Sequence, residues 1–466
     1  MTQAQSPWPS EFADRIRKQF PETANYFLES LGQGAAVSIR LNEAKFSCPA
    51  TLPEKILWCS NGYFLKERPV FALDPLWHAG AYYVQEASSM FLEQVFRQID
   101  IARPKMVLDL CAAPGGKSTH LNSLIDGNDL LVANEVIRSR VPVLTENLVK
   151  WGKPNFLVSN SDVKQFGRMG PLFDVLVVDA PCSGEGLFRR DAEAAKEWSV
   201  ENSGLCVARQ RRILSECWPA LKKGGYLIYS TCTFNPAENE ENLSWLSSRC
   251  GFSSIRVPVG PDWHVDEFLY DNIWGYRFLP HRMKGEGFFI SLLRKEEDTP
   301  DIRFPRKFRT NLQRPVIMPE WIRTPVDKKF FQHQEQIKFI PAGWEKKILY
   351  LFEQVNLTHS GTVAGNLVKK KITPDHELAM SGSLLPGIFD TKELDWEGAL
   401  SYLGRNKPEI SPGGSDWQLI TFKQVPLGFV KNVGRRYNNY YPVGWRLRMQ
   451  PHSYSSARWY EKQDPV

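Results

Sequence analysis

Between residues 104 and 295, short apolar runs alternate with longer amphipathic stretches. The runs at 106–110, 130–134, 156–159, 175–179, 226–230 and 288–293 are bounded by polar residues, Gly or Pro, and read as buried strands. The stretches between them predict helices over 118–125, 138–151, 205–221 and 236–248. Strand and helix in alternation imply an α/β fold built on a doubly wound, mainly parallel sheet. Residues 1–100 are mixed, with helices predicted over 12–20 and 87–98. The charged segment 296–316, punctuated by Pro300, Pro305 and Pro315, reads as a linker. Residues 317–375 suggest a small helical or mixed subdomain. From 376 onward, strands predicted over 417–422, 428–431 and 445–449 give a β-rich end. The expected division is therefore 1–100, 101–296, 297–375 and 376–466.

Composition narrows the class. Hydrophobic residues make 42% of the 466 and charged residues 24%, as in ordinary globular proteins and unlike disordered ones. No apolar run reaches the ~18 residues of a membrane helix, and the first 20 residues lack the apolar core of a signal peptide. A cytoplasmic protein with free thiols is expected, and nothing asks for more than a monomer. None of the eight Cys forms a CxxC pair, so no metal site is expected. Charge is uneven: residues 1–300 carry 33 Lys and Arg against 36 Asp and Glu, whereas 301–466 carry 25 against 16. A basic module on a near-neutral body points to an anionic partner, most often nucleic acid, the alternative being a solvated surface. Between 423 and 449, Lys431, Arg435, Arg436, Tyr441 and Arg446 mix cations with aromatic rings that can stack on unpaired bases.

The first strand of the α/β region runs into Cys111-Ala112-Ala113-Pro114-Gly115-Gly116-Lys117. Strand, glycine loop and helix form the usual cradle for a nucleotide cofactor at the carboxyl ends of strands. The loop is neither GxGxxG nor GxxxxGK[ST], which weakens dinucleotide and ATP readings. Glu135 at the end of the second strand is placed to bond ribose hydroxyls, and Asp162 after the third to meet an adenine amino group. The pocket expected is one for an adenosine-containing molecule. Two later strands each end in a cysteine loop: Asp179-Ala180-Pro181-Cys182 and Ser230-Thr231-Cys232. Core filler is the alternative for each thiol, and a disulfide a further one. Cytosine C5 is a poor nucleophile, but a thiolate adding to C6 makes the ring enamine-like, so that C5 can attack an electrophilic methyl group. A second thiol can then assist elimination, and an acid such as Asp179 near N3 aids addition. A paired base is closed to this attack and must be unpaired or flipped out.

At these residues the chain resembles the RNA (cytosine-C5) methyltransferase family, the Nop2/Sun group. The resemblance covers residues 30–295 and rests on 85–90, 109–117, 178–186 and 230–236, with Arg40-Leu41-Asn42 similar to the family's N-terminal signature. It implies a Rossmann-like, S-adenosylmethionine-dependent methyltransferase fold, with an N-terminal α+β RNA-binding region that includes Arg40. It further implies Cys232 as nucleophile, Cys182 for product release and Asp179 for orienting or protonating the base, with Lys117 nearby. Cys111, Ala112, Ala113, Pro114, Gly115, Gly116, Lys117, Glu135, Arg140, Asp162 and Asp179 would border the cofactor. DNA cytosine-C5 enzymes attack with the Pro-Cys cysteine and lack the Thr-Cys one. The stretch 425–446 is similar to the end of bacterial small-subunit rRNA enzymes, where a PUA-like domain binds RNA. The expected activity is formation of 5-methylcytosine in small-subunit rRNA. Two alternatives are the same chemistry on tRNA and a non-catalytic RNA-binding assembly factor.

Overall fold

The computed structural model describes residues 7–47, 54–102, 104–300, 302–309, 312–313, 315, 317–369, 371–406, 416–434, 436–449 and 459–460. The N-terminal region opens with α1 (Ser10–Gln19) and α2 (Ala24–Leu31). An antiparallel sheet follows, with β1 (Ser38–Leu41) between β2 (Gly62–Phe64) and β3 (Tyr82–Val84). Short helices α3 (Pro75–His78) and α4 (Leu92–Arg97) complete it.

The central sheet carries β4 (Met106–Asp109), β5 (Leu130–Asn134), β6 (Phe156–Ser159), β7 (Phe173–Asp179) and β8 (Leu221–Thr231), all parallel, in the order β8-β7-β4-β5-β6. Helices α5 (Gly116–Leu124), α6 (Val141–Trp151), α7 (Val163–Arg168), α8 (Ala192–Glu197), α9 (Val200–Cys217) and α10 (Glu240–Ser247) cross over between and beyond them. After β4 the chain winds outward through β5 and β6, then returns to place β7 on the other side of β4. That reversal opens a crevice at the carboxyl ends, where ligands of such sheets bind. Beyond β8, the edge is extended by antiparallel β12 (Phe288–Lys295), β11 (Ile273–Phe278) and β10 (Asp266–Tyr270), while β9 (Phe252–Ser254) also pairs with β12. Strands β4 and β5 are buried at every position, because helices cover both faces of the sheet.

The segment expected to be a small subdomain is mostly sheet. Strands β13 (Lys328–His333), β14 (Gln336–Pro341), β16 (Thr362–Val368) and β17 (Lys371–Pro374) form an antiparallel unit. Its helix α11 (Glu345–Gln354) buries Ile348 and Leu351, which belong to the same hydrophobic cluster as Phe166 and Met169 of the central domain. Its remaining strand, β15 (Leu357–Ser360), pairs with β6 and forms the other edge of the central sheet. The segment read as a linker also packs on the core, through Ile302, Phe304, Phe308 and Leu312.

The end of the chain holds α12 (His376–Met380) and α13 (Trp396–Leu403), with β18 (Asp390–Glu393), β19 (Trp417–Phe422), β20 (Val425–Asn432) and β21 (Tyr437–Asn439) in one sheet. The strand expected over 445–449 does not form: Val443–Trp445 is a 3-10 turn after Pro442, and the described residues beyond it are irregular. This domain shares a hydrophobic cluster with the N-terminal sheet, where Leu400, Ile420 and Leu427 join Ile39, Leu76 and Tyr82. Among the described residues no helix is long and apolar enough to cross a membrane.

Candidate active site

Parallel pairing of β7 with β8 sets Asp179 opposite Ser230, and the Ser230 hydroxyl donates to Asp179 Oδ1 (2.8 Å). Both strands end there, so their loops run on side by side. Cys182 lies three residues past Asp179 and Cys232 two past Ser230, which brings their sulfurs to 3.1 Å as free thiols. The Cys232 N–H also points at Cys182 Sγ (3.3 Å). The hydrogen bond with Cys232, then burial, push the Cys182 thiol well above its ordinary range. The Cys182 thiol therefore keeps its proton.

Lys117, in the first turn of α5, places Nζ 2.9 Å from Asp179 Oδ2 and 4.9 Å over the Phe288 ring. Burial draws the Lys117 pKa down, but the Asp179 carboxylate and the nearby Cys232 sulfur outweigh it, and the net shift is upward. One cation thus pairs with the carboxylate and lies within electrostatic reach of the Cys232 sulfur.

The expected cofactor residues gather at the ends of β4, β5 and β6. Gly115 caps α5 at φ 115°, a left-handed conformation that side chains resist. The Ala112 N–H donates to Asn134 O (2.8 Å) and Arg140 donates to Ala113 O (2.5 Å), fixing the loop from Cys111 through Pro114 against β5. Glu135 is buried, accepts from Ile137 N (2.8 Å) and lies 3.5 Å from Arg140. Asp109 accepts from the Ser118 hydroxyl on one carboxylate oxygen (2.6 Å), and its other oxygen is buried with no hydrogen-bond partner among the described residues. Burial pushes its pKa up to about 7. That orphaned oxygen beside a glycine loop, with buried Glu135 one strand away, fits a polar cofactor with ribose hydroxyls and a charged amino-acid end. Asp162, after β6, caps α7 by accepting from Lys164 N (3.0 Å) and lies 3.6 Å from Arg212. A Cβ on Gly116 would meet the Tyr83 ring at 3.3 Å, so that glycine serves packing against the N-terminal sheet.

Two of the expected RNA contacts are corrected by burial. Arg40 is 2% exposed, donates to Gln85 (2.9 Å) and Thr119 (2.7 Å), and lies 4.3 Å over the Trp151 ring. It joins the N-terminal sheet to α5 and α6 and does not face solvent. Tyr441 is 1% exposed and packs edge-on against His376 and Tyr402. Its neighbour Tyr440 is the exposed ring. Arg436 and Arg446 are exposed, Lys431 is half-buried over Trp417 (5.4 Å), and Arg435 lies outside the described residues. Two clefts flank this face. One of about 540 Å³ is lined by Arg405, Tyr437 and Tyr440, and one of about 850 Å³ by Trp396, Arg446 and Arg448.

Several site residues had no sequence signal of their own. Glu185 and Glu238 lie fully buried beside the cysteine loops. Glu185 falls inside the motif 178–186 and Glu238 just beyond 230–236, so proximity to the motifs was the available clue. A second cluster, Cys59, Glu93 and His120, brings donor atoms within 4.8 Å of one another in the core. Its carboxylate is already held by Arg97 (2.6 Å) and by the Ser60 backbone N–H, as in a buried polar network.

Comparison with known proteins finds family matches in three parts of the chain. Residues 98–294 match the family described as 16S rRNA methyltransferase RsmB/F. Residues 8–87 match the N-terminal domain of 16S rRNA methyltransferase RsmF, and 390–447 the methyltransferase RsmF PUA domain. Ribosomal RNA small subunit methyltransferase F of Escherichia coli (strain K12) is 30% identical over 466 residues, covering 93% of this chain and 96% of that protein. The protein of the same name from Shigella sonnei (strain Ss046) is 29% identical over 465 residues, with the same coverage. Among solved structures, a methyltransferase homologue from Pyrococcus horikoshii is 26% identical at TM-score 0.53, covering 62% of this chain and 95% of that one. NSun6 from Pyrococcus horikoshii with SFG matches in fold at TM-score 0.54 and 20% identity, covering 63% of this chain and all of that one.

Proposed function

Since the chain belongs to the RsmB/F family of 16S rRNA methyltransferases, we propose that it forms 5-methylcytosine in small-subunit rRNA, with Cys232 as nucleophile and Cys182 as the group that releases the product. The observation that carries this reading is the pair of sulfurs 3.1 Å apart at the ends of adjacent strands, beside the Lys117–Asp179 ion pair.

The cofactor is S-adenosylmethionine. When bound, it supplies an electrophilic methyl group. Asp109, Ala112 through Gly116, Glu135 and Arg140 are the residues to hold it. Cys232 adds, as the thiolate, to C6 of a flipped cytosine. Lys117 stabilises the thiolate. Asp179, already paired with a cation, acts as an acceptor that orients the cytosine amino edge, a role that fits its ion pair better than proton donation. Once Cys232 is a thioether, it no longer raises the proton affinity of Cys182. Cys182 then gives its proton to solvent more readily and, as a thiolate, takes the proton on C5 while the C6–S bond breaks, returning Cys232 as a thiolate and Cys182 as a thiol. The exposed cations and Tyr440 of the C-terminal domain hold the RNA. In this reading the enzyme works in the cytoplasm as a single chain, on rRNA or the assembled subunit.

Covalent trapping tests the assignment. Cys182→Ala, isolated under denaturing conditions, is expected to carry RNA attached through Cys232, and the double variant Cys182→Ala/Cys232→Ala none. Methylation by the Cys232→Ala single variant at the normal rate would refute it. Sequencing the attached RNA separates rRNA from tRNA.

A further inference from the structure

Burying a carboxylate is costly unless its acceptor positions are filled, so its donors show what it holds together. Glu238 accepts from Ser183 N (2.9 Å) and Ser183 Oγ (2.5 Å), next in sequence to Cys182. It accepts from Asn235 Nδ2 (3.3 Å), in the Cys232 loop, and from Ser203 (3.1 Å) and Gln210 (3.0 Å) on α9. Glu185 accepts from Phe234 N (3.1 Å), two residues past Cys232, and from Trp198 (3.1 Å) and Arg15 (2.5 Å). Gln19, one turn beyond Arg15 on α1, donates to Phe234 O (3.0 Å). The peptide after the Cys232 loop is therefore gripped at both its N–H and its carbonyl. The loops also touch directly: Gly186 N donates to Cys232 O (2.8 Å), and the Ser183 and Thr233 hydroxyls meet at 2.9 Å. A Cβ at Gly186 would stand 2.8 Å from Gly287 O and 3.0 Å from Cys232 O, which only glycine avoids.

We propose that Glu185 and Glu238 are positioning residues that hold the two cysteine loops in register, and that Arg15 and Gln19 make the N-terminal helix part of that frame. The inference rests on the two-cysteine reading above. Neither carboxylate touches a reacting atom; both act through the loops. The arrangement gives the N-terminal region a task besides contacting RNA. What displaces α1 moves the nucleophile, and misplacement of a reacting group by about 1 Å can cost ~100-fold in rate. Glu238 has a second influence. After the hydrogen bond with Cys232 and burial, its charge is a further cause of the raised Cys182 pKa.

The test uses the full chain with Glu238→Gln, Glu185→Gln and Arg15→Met. S-adenosylmethionine affinity, kcat and KM for RNA are measured, together with adduct yield in the Cys182→Ala background. For Glu238→Gln, kcat is expected to fall about 100-fold with cofactor affinity within twofold of wild type. The pH dependence of adduct breakdown, followed in the Cys182-containing enzyme, should move to lower pH. A merely structural carboxylate would lower the melting temperature and leave that profile in place. Glu238→Asp, which keeps the charge, should retain the wild-type profile at reduced rate. Cofactor-binding Glu238→Gln that turns over within twofold of wild type overturns the proposal. If the buried variants do not fold, Arg15→Met decides: Arg15 is partly exposed, and a kcat unchanged despite loss of its ion pair overturns the role of α1, whereas a tenfold fall supports it. Normal turnover by Cys232→Ala would instead overturn the underlying mechanism.

Discussion

The seam between the β7 and β8 loops and the basic face of the C-terminal domain solve different problems. At the seam, side chains are buried or half-buried and interlocked: two sulfurs, one ion pair and two carboxylates fix each other within a few ångströms. On the C-terminal face, Arg436, Arg446, Arg448 and Tyr440 stand in solvent beside open clefts. Chemistry at C6 tolerates little displacement, so loss of one atom at the seam has a large effect. Phosphate recognition sums many screened contacts, so loss of one there has a small effect. The difference predicts a gradient of mutational cost running from one region to the other.

The steepest point is Cys232. Cys232→Ala should lower methyl transfer by at least about a thousandfold with cofactor affinity unchanged, because the neighbouring Cys182 sulfur is held as the protonated thiol, a poor nucleophile. Equilibrium binding of S-adenosylmethionine beside a rate assay checks both halves. Cys182→Ala should come next and differ in kind: the adduct forms and persists. In the adduct, burial and the Glu238 charge still raise the Cys182 pKa, so adduct breakdown in the wild-type enzyme should rise with pH, and the variant should lose that dependence. A breakdown rate flat with pH in both proteins would remove Cys182 as the base.

Lys117→Met should cost about a hundredfold in kcat, since the cation serves both Asp179 and Cys232. Stability should fall by only ~1 kcal/mol or less, because the Asp179 side chain is a third exposed and solvent screens the pair. A rate loss no greater than the stability loss would make the pair structural.

Much of the seam was legible in the sequence. The parallel strands are nearly continuous apolar runs, because both faces of the sheet are covered. The loops that follow announce themselves with Gly, Pro and Cys. The helix expected over 205–221 instead starts at Val200 and stops at Cys217, since Ser199 caps it and Leu221 already belongs to β8. Val200 and Leu205, 61% and 59% exposed, carry no core periodicity and blurred that boundary. What stayed hidden depends on distant partners. Arg40 reads as a surface cation until Gln85, Thr119 and Trp151 enclose it. Glu238 reads as one acid among several until five donors from three elements converge on it. Strand β15, Leu-Thr-His-Ser, has no alternating pattern, and only its pairing with β6 makes it a sheet edge.

The C-terminal face gives the shallow end of the gradient. Arg446→Ala and Arg448→Ala, taken singly, should weaken RNA binding by a few-fold and leave kcat at saturating RNA unchanged. Each lost phosphate contact should reduce the slope of log affinity against log salt by about one. Tyr440→Ala should weaken binding with little change in that slope, because stacking releases no counterions. If the arginine variants lowered kcat as much as KM rose, the two regions would be coupled, and the C-terminal domain would be helping to set the base against Cys232. If only affinity and its salt dependence moved, the division stands: the seam performs the chemistry and the basic face holds the RNA in reach of it.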